Sequence, residues 1–522
     1  MDDCESAPGC SQQRRRLTNT AKAAERHALS DRAAAEIASS VLADFEIISP
    51  DKASDVIDRS KIRRETYKYQ ESIRDESANS LVDLNGLYFA GRKDKTLIQE
   101  DVAGRFHRRT VVEEHVSLVQ EPGSAYLGHV APGRSNAVSI KQSILEFFEG
   151  RNINVQNLAV VGCDGTAVNT GRKGGVMRLL EEHFKRPMHW FVCLLHSNEL
   201  PLRHLFEHLD GSTSGPRSYS GEIGTLLQQC DKMPVVEFQR IECDLPVLPE
   251  SVAHDLSTDQ RYLYDMMCHA VASGQCNDVL SYRNPGNLVM SRWLTMANRV
   301  LRLYVSTMKP NDTLMIVTEF VLKVYAPVWF RIKANPSSKD GPRHLWMLTN
   351  KSRYLREDLK DVIDPVIQRN AFYAHPENLL LAMMTDERKH IRELGLRRLM
   401  RARASKKLQK VIRVFAIPTL QFDAADYIDL IDWQSCELTE PPLTKDVTDT
   451  DLEQLVHSGD SPVISFPRFP CHTQAVERCV KAVTEASTSV VGAQARDGFI
   501  RARFIARKIM PTFETKSDFR TE

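Results

Sequence analysis

Between residues 84 and 210 the hydrophobic pattern changes its period in a fixed order, and that order limits the fold more than any other feature of the chain. LNGLYFAGRKDKTLI (84–98), TVVEEHVSLVQ (110–120) and AYLGHVAP (125–132) have strand character and are separated by polar or Gly/Pro stretches. AVSIKQSILEFFEG (137–150) then places its apolar residues at helical spacing. LAVVGCDG reads as a strand, GRKGGVMRLLEEHF as a helix, MHWFVCLL as a strand and NELPLRHLFEHL as a helix. Three neighbouring strands followed by alternating helices and strands predict an α/β fold, a mixed sheet covered by helices.

The rest of the chain is simpler. Residues 1–28 read as lacking order, and Ser30 caps a predicted helix over ALSDRAAAEIASSVLADF. Beyond 210, STDQRYLYDMMCHAVASG, SRWLTMANRVLRLYVSTM, DTLMIVTEFVLKVYAPVWFRIK and ENLLLAMMTDERKHIRELGLRRLMRARASK suit helices. Residues 411–470 break into acidic, Pro-rich pieces, and HTQAVERCVKAVTEASTSVVG is the last helix candidate. The 522 residues suffice for two or three domains.

The sequence contains no uninterrupted apolar run of about eighteen residues, and its first residues carry no apolar signal core, so no membrane partner is expected and the chain is expected inside the cell. Eleven scattered cysteines without a CxxC argue against both a disulfide scaffold and a zinc finger. The net charge of +1 is neutral on nucleic acid, but basic runs occur at 58–68, 392–410 and near the C-terminus.

Chemistry concentrates in VVGCDGTAVNTG (160–171). Asp164 at the C-terminal end of a buried strand lies where open α/β sheets place ligands, and paired carboxylates there can hold divalent ions. Equally, Asp164 with Thr166 or Asn169 can simply cap the next helix. The glycines match neither GxxxxGK[ST] nor GxGxxG, so a nucleotide loop is not indicated. Cys193 and His196 in FVCLLH have a metal-compatible spacing but no second pair; a buried cysteine with a hydrogen-bonded histidine is the simpler reading. Trp293 reads either as core or as a platform for an unpaired base. Glu477 reads either as a surface ion-pair partner or as an acid on a helix with basic neighbours.

Together these motifs resemble the hAT superfamily of DNA transposases. DGTAVNTG resembles the stretch opened by that family's second catalytic aspartate, at Asp164; CLLHSNEL resembles its [CD]-x-x-H motif, at Cys193 and His196; SRW resembles its arginine–tryptophan pair, at Arg292 and Trp293; and TQAVERCVKAV resembles the helix of its third acid, at Glu477. The resemblance implies an RNase H-like mixed-sheet core interrupted by a long, mainly helical insertion domain. The corresponding divisions are a charged, partly helical arm (1–80), the first part of the core (81–210), the insertion with its acidic, Pro-rich linker (211–465), a closing C-terminal helix (466–510) and a tail (511–522). It further implies a nuclear protein acting on double-stranded DNA, a homo-oligomer, and Mg2+ held by Asp164, Glu477 and a first-strand acid during strand cleavage and transfer. The natural first-strand position is Ala90; the acid at hand is Asp94, four residues or about 13 Å further along a strand. The alternative is a transposase-derived protein without cutting activity that binds DNA, or binds protein partners through its helical domain.

Overall fold

The computed structural model describes residues 16–49, 55–78, 81–171, 173–215, 218–288, 293–371, 375–404, 418–436, 438, 448–457 and 469–509. Three helices come first: α1 (Thr18–His27), α2 (Asp31–Asp44) and α3 (Arg59–Ala78). Ser30 caps α2 as expected, its Oγ accepting the Ala33 N–H at 3.1 Å. The sequence reading had no helix at 18–27. There Ala21 and Ala24 are buried, small enough to let α1 approach α3 and the last helix of the chain closely. Gln70 donates to Glu25 at 2.9 Å across that contact. Tertiary packing, rather than helical propensity, orders α1.

The core is a five-stranded sheet. β1 (Gly86–Val102) and β2 (Arg105–Glu121) form an antiparallel hairpin, and β3 (Ala125–Val130) adds to β2. After α4 (Ala137–Gly150), β4 (Val160–Cys163) pairs parallel with β1. After α5 (Val176–Phe184), β5 (His189–Val192) pairs parallel with β4. The spatial order is β3-β2-β1-β4-β5. An antiparallel meander continued by parallel strands through helical crossovers is the RNase H-like arrangement expected from the pattern.

Side-chain alternation divides the sheet into two faces. Leu87 and Phe89, Val161 and Cys163, and Trp190 and Val192 pack with α4 and α5. Tyr88, Ala90, Val160 and Phe191 face a larger core shared with α6 (Leu194–Asp210) and the helical region. Gly162 lies on this second face directly beside Tyr88, where a Cβ would come within 2.8 Å of the tyrosine ring.

The helical region follows α6. Its members include α7 (Trp293–Tyr304), α8 (Asp312–Ala334), α9 (Glu357–Arg369), α10 (Pro376–Met384) and α11 (Lys389–Ala404). α8 has the length and apolar composition to cross a membrane, but 72% of its apolar window is buried in the protein, as befits a central core helix. A π-helical turn at Val321–Tyr325 precedes Pro327, which lacks the N–H that a regular helix needs. Asn198 of α6 donates to the Tyr325 carbonyl there at 3.0 Å, tying the core to the insertion.

The run 377–406 read as one helix, but α10 and α11 are separate. Asp386 breaks them apart: its carboxylate accepts from the Arg388 N–H at 2.9 Å and engages the side chains of Arg343, Arg388 and Tyr427. Asp386 is held well below the usual carboxylate range by these donors, against the opposing effect of its burial.

The chain then returns to the sheet. The Phe469 ring fills the space beside Gly86, Tyr88 donates to the Pro470 carbonyl, and the Leu194 N–H donates to the Cys471 carbonyl at 2.9 Å. α12 (Gln474–Ser489) crosses β1 and β2, and α13 (Ala493–Ile509) packs on α1 and α3. All five strands thus lie within 86–192, and the returning segment closes the core by covering the sheet with α12 after the helical insertion.

Gly162→Ala is expected to lower unfolding free energy by about 1–3 kcal/mol, because the new methyl must displace the Tyr88 ring in a packed sheet. Chemical denaturation of the two proteins checks this; equal midpoints would refute the packing argument.

Candidate functional site

Asp164 follows the last residue of β4, on the face shared by Tyr88 and Ala90. The parallel register pairs Tyr88 with Gly162; continued by two residues, it sets Ala90 beside Asp164. Asp164 is strongly engaged locally. Its Oδ1 accepts from the Thr166 N–H (3.2 Å), Thr166 Oγ1 (2.8 Å) and Asn169 Nδ2 (2.7 Å). The carboxylate thus fastens the loop that leads into the short helix Ala167–Thr170, but it does not cap a helix. Thr166 holds that N-cap position, and the helix read from near Gly171 begins at Val176 behind Gly175, neither with a side-chain cap.

Cys193 and His196 are brought together by the strand-to-helix junction. β5 ends at Val192, Cys193 caps α6, and His196 lies in its first turn. The helix starts earlier than NELP suggested, so Pro201 falls inside it rather than at its first turn. Cys193 Sγ accepts the Thr473 N–H at 3.4 Å, which anchors the returning segment. Burial, reinforced by the Glu477 carboxylate, pushes the Cys193 thiol up to about 12. It remains a thiol at neutral pH, a poor metal ligand. Burial also pulls His196 below the usual imidazole range, partly offset by Asp164. Gly165 sits under His196, Val192 and the buried Asn370 that follows α9; a Cβ there would lie 2.9 Å from Asn370 Oδ1. The insertion thereby helps to hold the Asp164 loop.

Glu477 is exposed near the start of α12, with Thr473 Oγ1 donating to it at 3.4 Å. The helix runs in the direction of β1, since Phe469 meets Gly86, Pro470 meets Tyr88, and Thr484 donates to Asp94 at 3.0 and 3.1 Å. Seven helical residues span about 10.5 Å, roughly three strand residues. Glu477 therefore lies at the level of Ala90 and Gly91. Asp94 lies three to four residues, roughly 10–13 Å, further along β1. It is 4% exposed, clasped by Thr484 and flanked by Arg92 at 3.4 Å, and it anchors α12 to β1.

The sequence reading passed over Glu199, which follows His196 by three residues on α6. Burial, and next the neighbouring Glu477, push its carboxyl up to about 8. Glu199 and His196 are neighbours on the helix. The first turns of α6 thus connect the surroundings of Asp164, through His196, to those of Glu477, through Cys193 and Glu199.

Trp293 is 5% exposed and lies edge-on to Phe206 of α6, ring centres 6.2 Å apart. Its indole faces are occupied by the core, leaving no space for a base in this conformation. Arg292 lies outside the described residues.

A two-ion centre needs carboxylates converging from the first strand, the end of β4 and the last helix. Ala90, the first-strand position, offers a methyl group and no ligand, while Asp164 carries its three hydrogen bonds on Oδ1. Among the described residues, no group of three or more His, Cys, Asp or Glu side chains is arranged to hold a metal ion.

No family model matches the chain, and no curated protein matches it. Among solved structures it is similar to the Drosophila P element transposase strand transfer complex, with a TM-score of 0.31 and 10% identity over 97% of this chain and 94% of that one. A similarity at that level leaves the fold and site to be argued from their own geometry.

The raised Glu199 carboxyl predicts a pH dependence. The folded state holds this proton more tightly than the unfolded chain, so the stabilisation is complete below about pH 4.5 and is lost as pH rises through about 8. Glu199→Gln is expected to be more stable than the parent at pH 8, by on the order of 1–3 kcal/mol, with the difference closing toward pH 4.5. Melting curves across that range check it; parallel pH profiles would refute it.

Proposed function

We propose that this chain is a descendant of an hAT-type transposase that binds double-stranded DNA, in the nucleus, without metal-dependent strand cleavage. The observation that carries the reading is Ala90: two residues beyond Tyr88, whose partner Gly162 stands two residues before Asp164, β1 carries a methyl group rather than an acid. A two-ion centre cannot dispense with a bridging carboxylate at that place. The described residues also bring together no group of three or more His, Cys, Asp or Glu side chains arranged to hold a metal, which supports the same reading. What the fold retains is a scaffold for duplex DNA, with exposed cationic segments to neutralise phosphates.

The test pairs binding with cutting. The full-length protein is expected to retard a labelled DNA duplex with an affinity that falls steeply with salt, and to leave it intact in magnesium or manganese. Ala90→Asp is expected to introduce a manganese-dependent rise in melting temperature that the parent lacks. Magnesium-dependent cleavage by the parent, abolished by Asp164→Asn, would overturn the proposal.

A further inference from the structure

We infer that the outer half of the β1–β2 hairpin is a duplex-DNA contact, with Lys93, Lys95 and Arg108 engaging phosphates and Phe106 at its leading end. The inference rests on the DNA-binding reading above and assigns it a surface.

The hairpin continues far beyond the helices that cover the sheet. Pairing runs without interruption from Gly86↔Glu121 to Val102↔Arg105, and residues 101–110 are all exposed. The ribbon has its own supports. Ala103 (φ 54°) and Gly104 (φ 78°) form a tight two-residue turn whose positive φ values match the right-handed strand twist. Asp101 Oδ1 accepts the Gly104 N–H at 2.8 Å, and Arg109 pairs with Glu100 at 2.5 Å across the strands.

Directly paired residues share a face, so the register sorts the charges. Arg92 and Arg109 lie on the face toward α12 and are matched there by Asp94 and Glu100. The opposite face carries Lys93, Lys95, Leu97, Gln99 and Asp101, with Glu114, Val112, Thr110, Arg108 and Phe106 across from them. Among the described residues, no ion pair engages Lys93, Lys95 or Arg108. Asp101 is turned to its own loop, leaving Glu114 at the inner end as the facing acid. Phe106 is 71% and Val112 69% exposed on the same face.

Exposed lysines alone are a common guard on a ribbon against edge-to-edge pairing. Bare Phe106 and Val112 beside them would defeat that purpose, whereas cations without partners alternating with apolar contacts suit a nucleic-acid surface. The fit selects the duplex: a two-stranded ribbon enters the major groove of B-DNA, while the deep, narrow major groove of an RNA duplex excludes it. Because β1 also carries Ala90, DNA on the ribbon would lie along the strand that leads to Asp164.

The test uses the full-length protein and fluorescence anisotropy of a labelled mixed-sequence DNA duplex. The triple variant Lys93→Gln, Lys95→Gln, Arg108→Gln is expected to bind about tenfold more weakly, with the salt slope reduced by up to about 3 and an unchanged melting temperature. The charge-keeping triple Lys93→Arg, Lys95→Arg, Arg108→Lys is expected to bind like the parent. So is a control on α11, Lys389→Gln, Arg397→Gln, Arg401→Gln. Phe106→Ala alone, which touches no core residue, is expected to weaken binding severalfold. Parent-like binding by the glutamine triple, an equal loss in the α11 control, or equally tight ribbon-dependent binding of an RNA duplex would each overturn the ribbon assignment while leaving DNA binding intact. A parent that binds no DNA would overturn both.

Discussion

Everything in this molecule depends on the way residues Phe469–Thr473 are laid against the sheet after the 276 residues that follow β5. Phe469 occupies the space that Gly86 leaves free, the Tyr88 hydroxyl holds the Pro470 carbonyl, and the Leu194 and Thr473 amides join the segment to the end of β5. These bonds satisfy backbone groups that would otherwise be buried without partners, and they set the height at which α12 begins. The Asp94–Thr484 clasp then fixes its direction. Two anchors, one at each end of the crossing, determine where Glu477 stands.

The site inherits its character from that arrangement. Fold elements that could assemble three acids are present, but one position holds a methyl group and another acid serves the loop on which it stands. Glu199 and Cys193 stay protonated because burial and the Glu477 carboxylate disfavour further negative charge. The region thus combines one loop-fastening aspartate, one exposed glutamate and two protonated neighbours. The insertion contributes by packing α9 and Asn370 against the Asp164 loop, so the scaffold and the insertion form one continuous core.

Much of the fold was legible because its strands and helices differ in hydrophobic period. β4 and β5 are short apolar runs, and α4 and α5 have clear amphipathic faces. The outer ribbon was not legible. Residues 99–109 hold Val102 and Phe106 among polar neighbours and no regular alternation between inside and outside, so local pairing alone keeps them extended. α1 was missed because its packing partners lie in α3 and α13. The break between α10 and α11 depends on Arg343 and Tyr427, which are remote in sequence from Asp386. At the site, the motif around Asp164 was visible, as was the gap at Ala90, but Glu199 carries no spacing signal that separates it from any polar residue on a helix. Burial in the assembled core, and then Glu477 arriving from the far end of the chain, give it an unusual environment.

The divided construction of the core also has a consequence for the order of synthesis. On a ribosome, all five strands emerge long before α12, and the face bearing Tyr88 and Phe191 must wait for its cover. Contacts that close such a long loop form late, after their entropic cost is met by packing elsewhere. The insertion, with its large apolar core, can consolidate against α6 in the interval and shield part of that face. Covering of the sheet is therefore a terminal event, and a chain stopped short of α12 would leave the ribosome with its central layer half bare and prone to association.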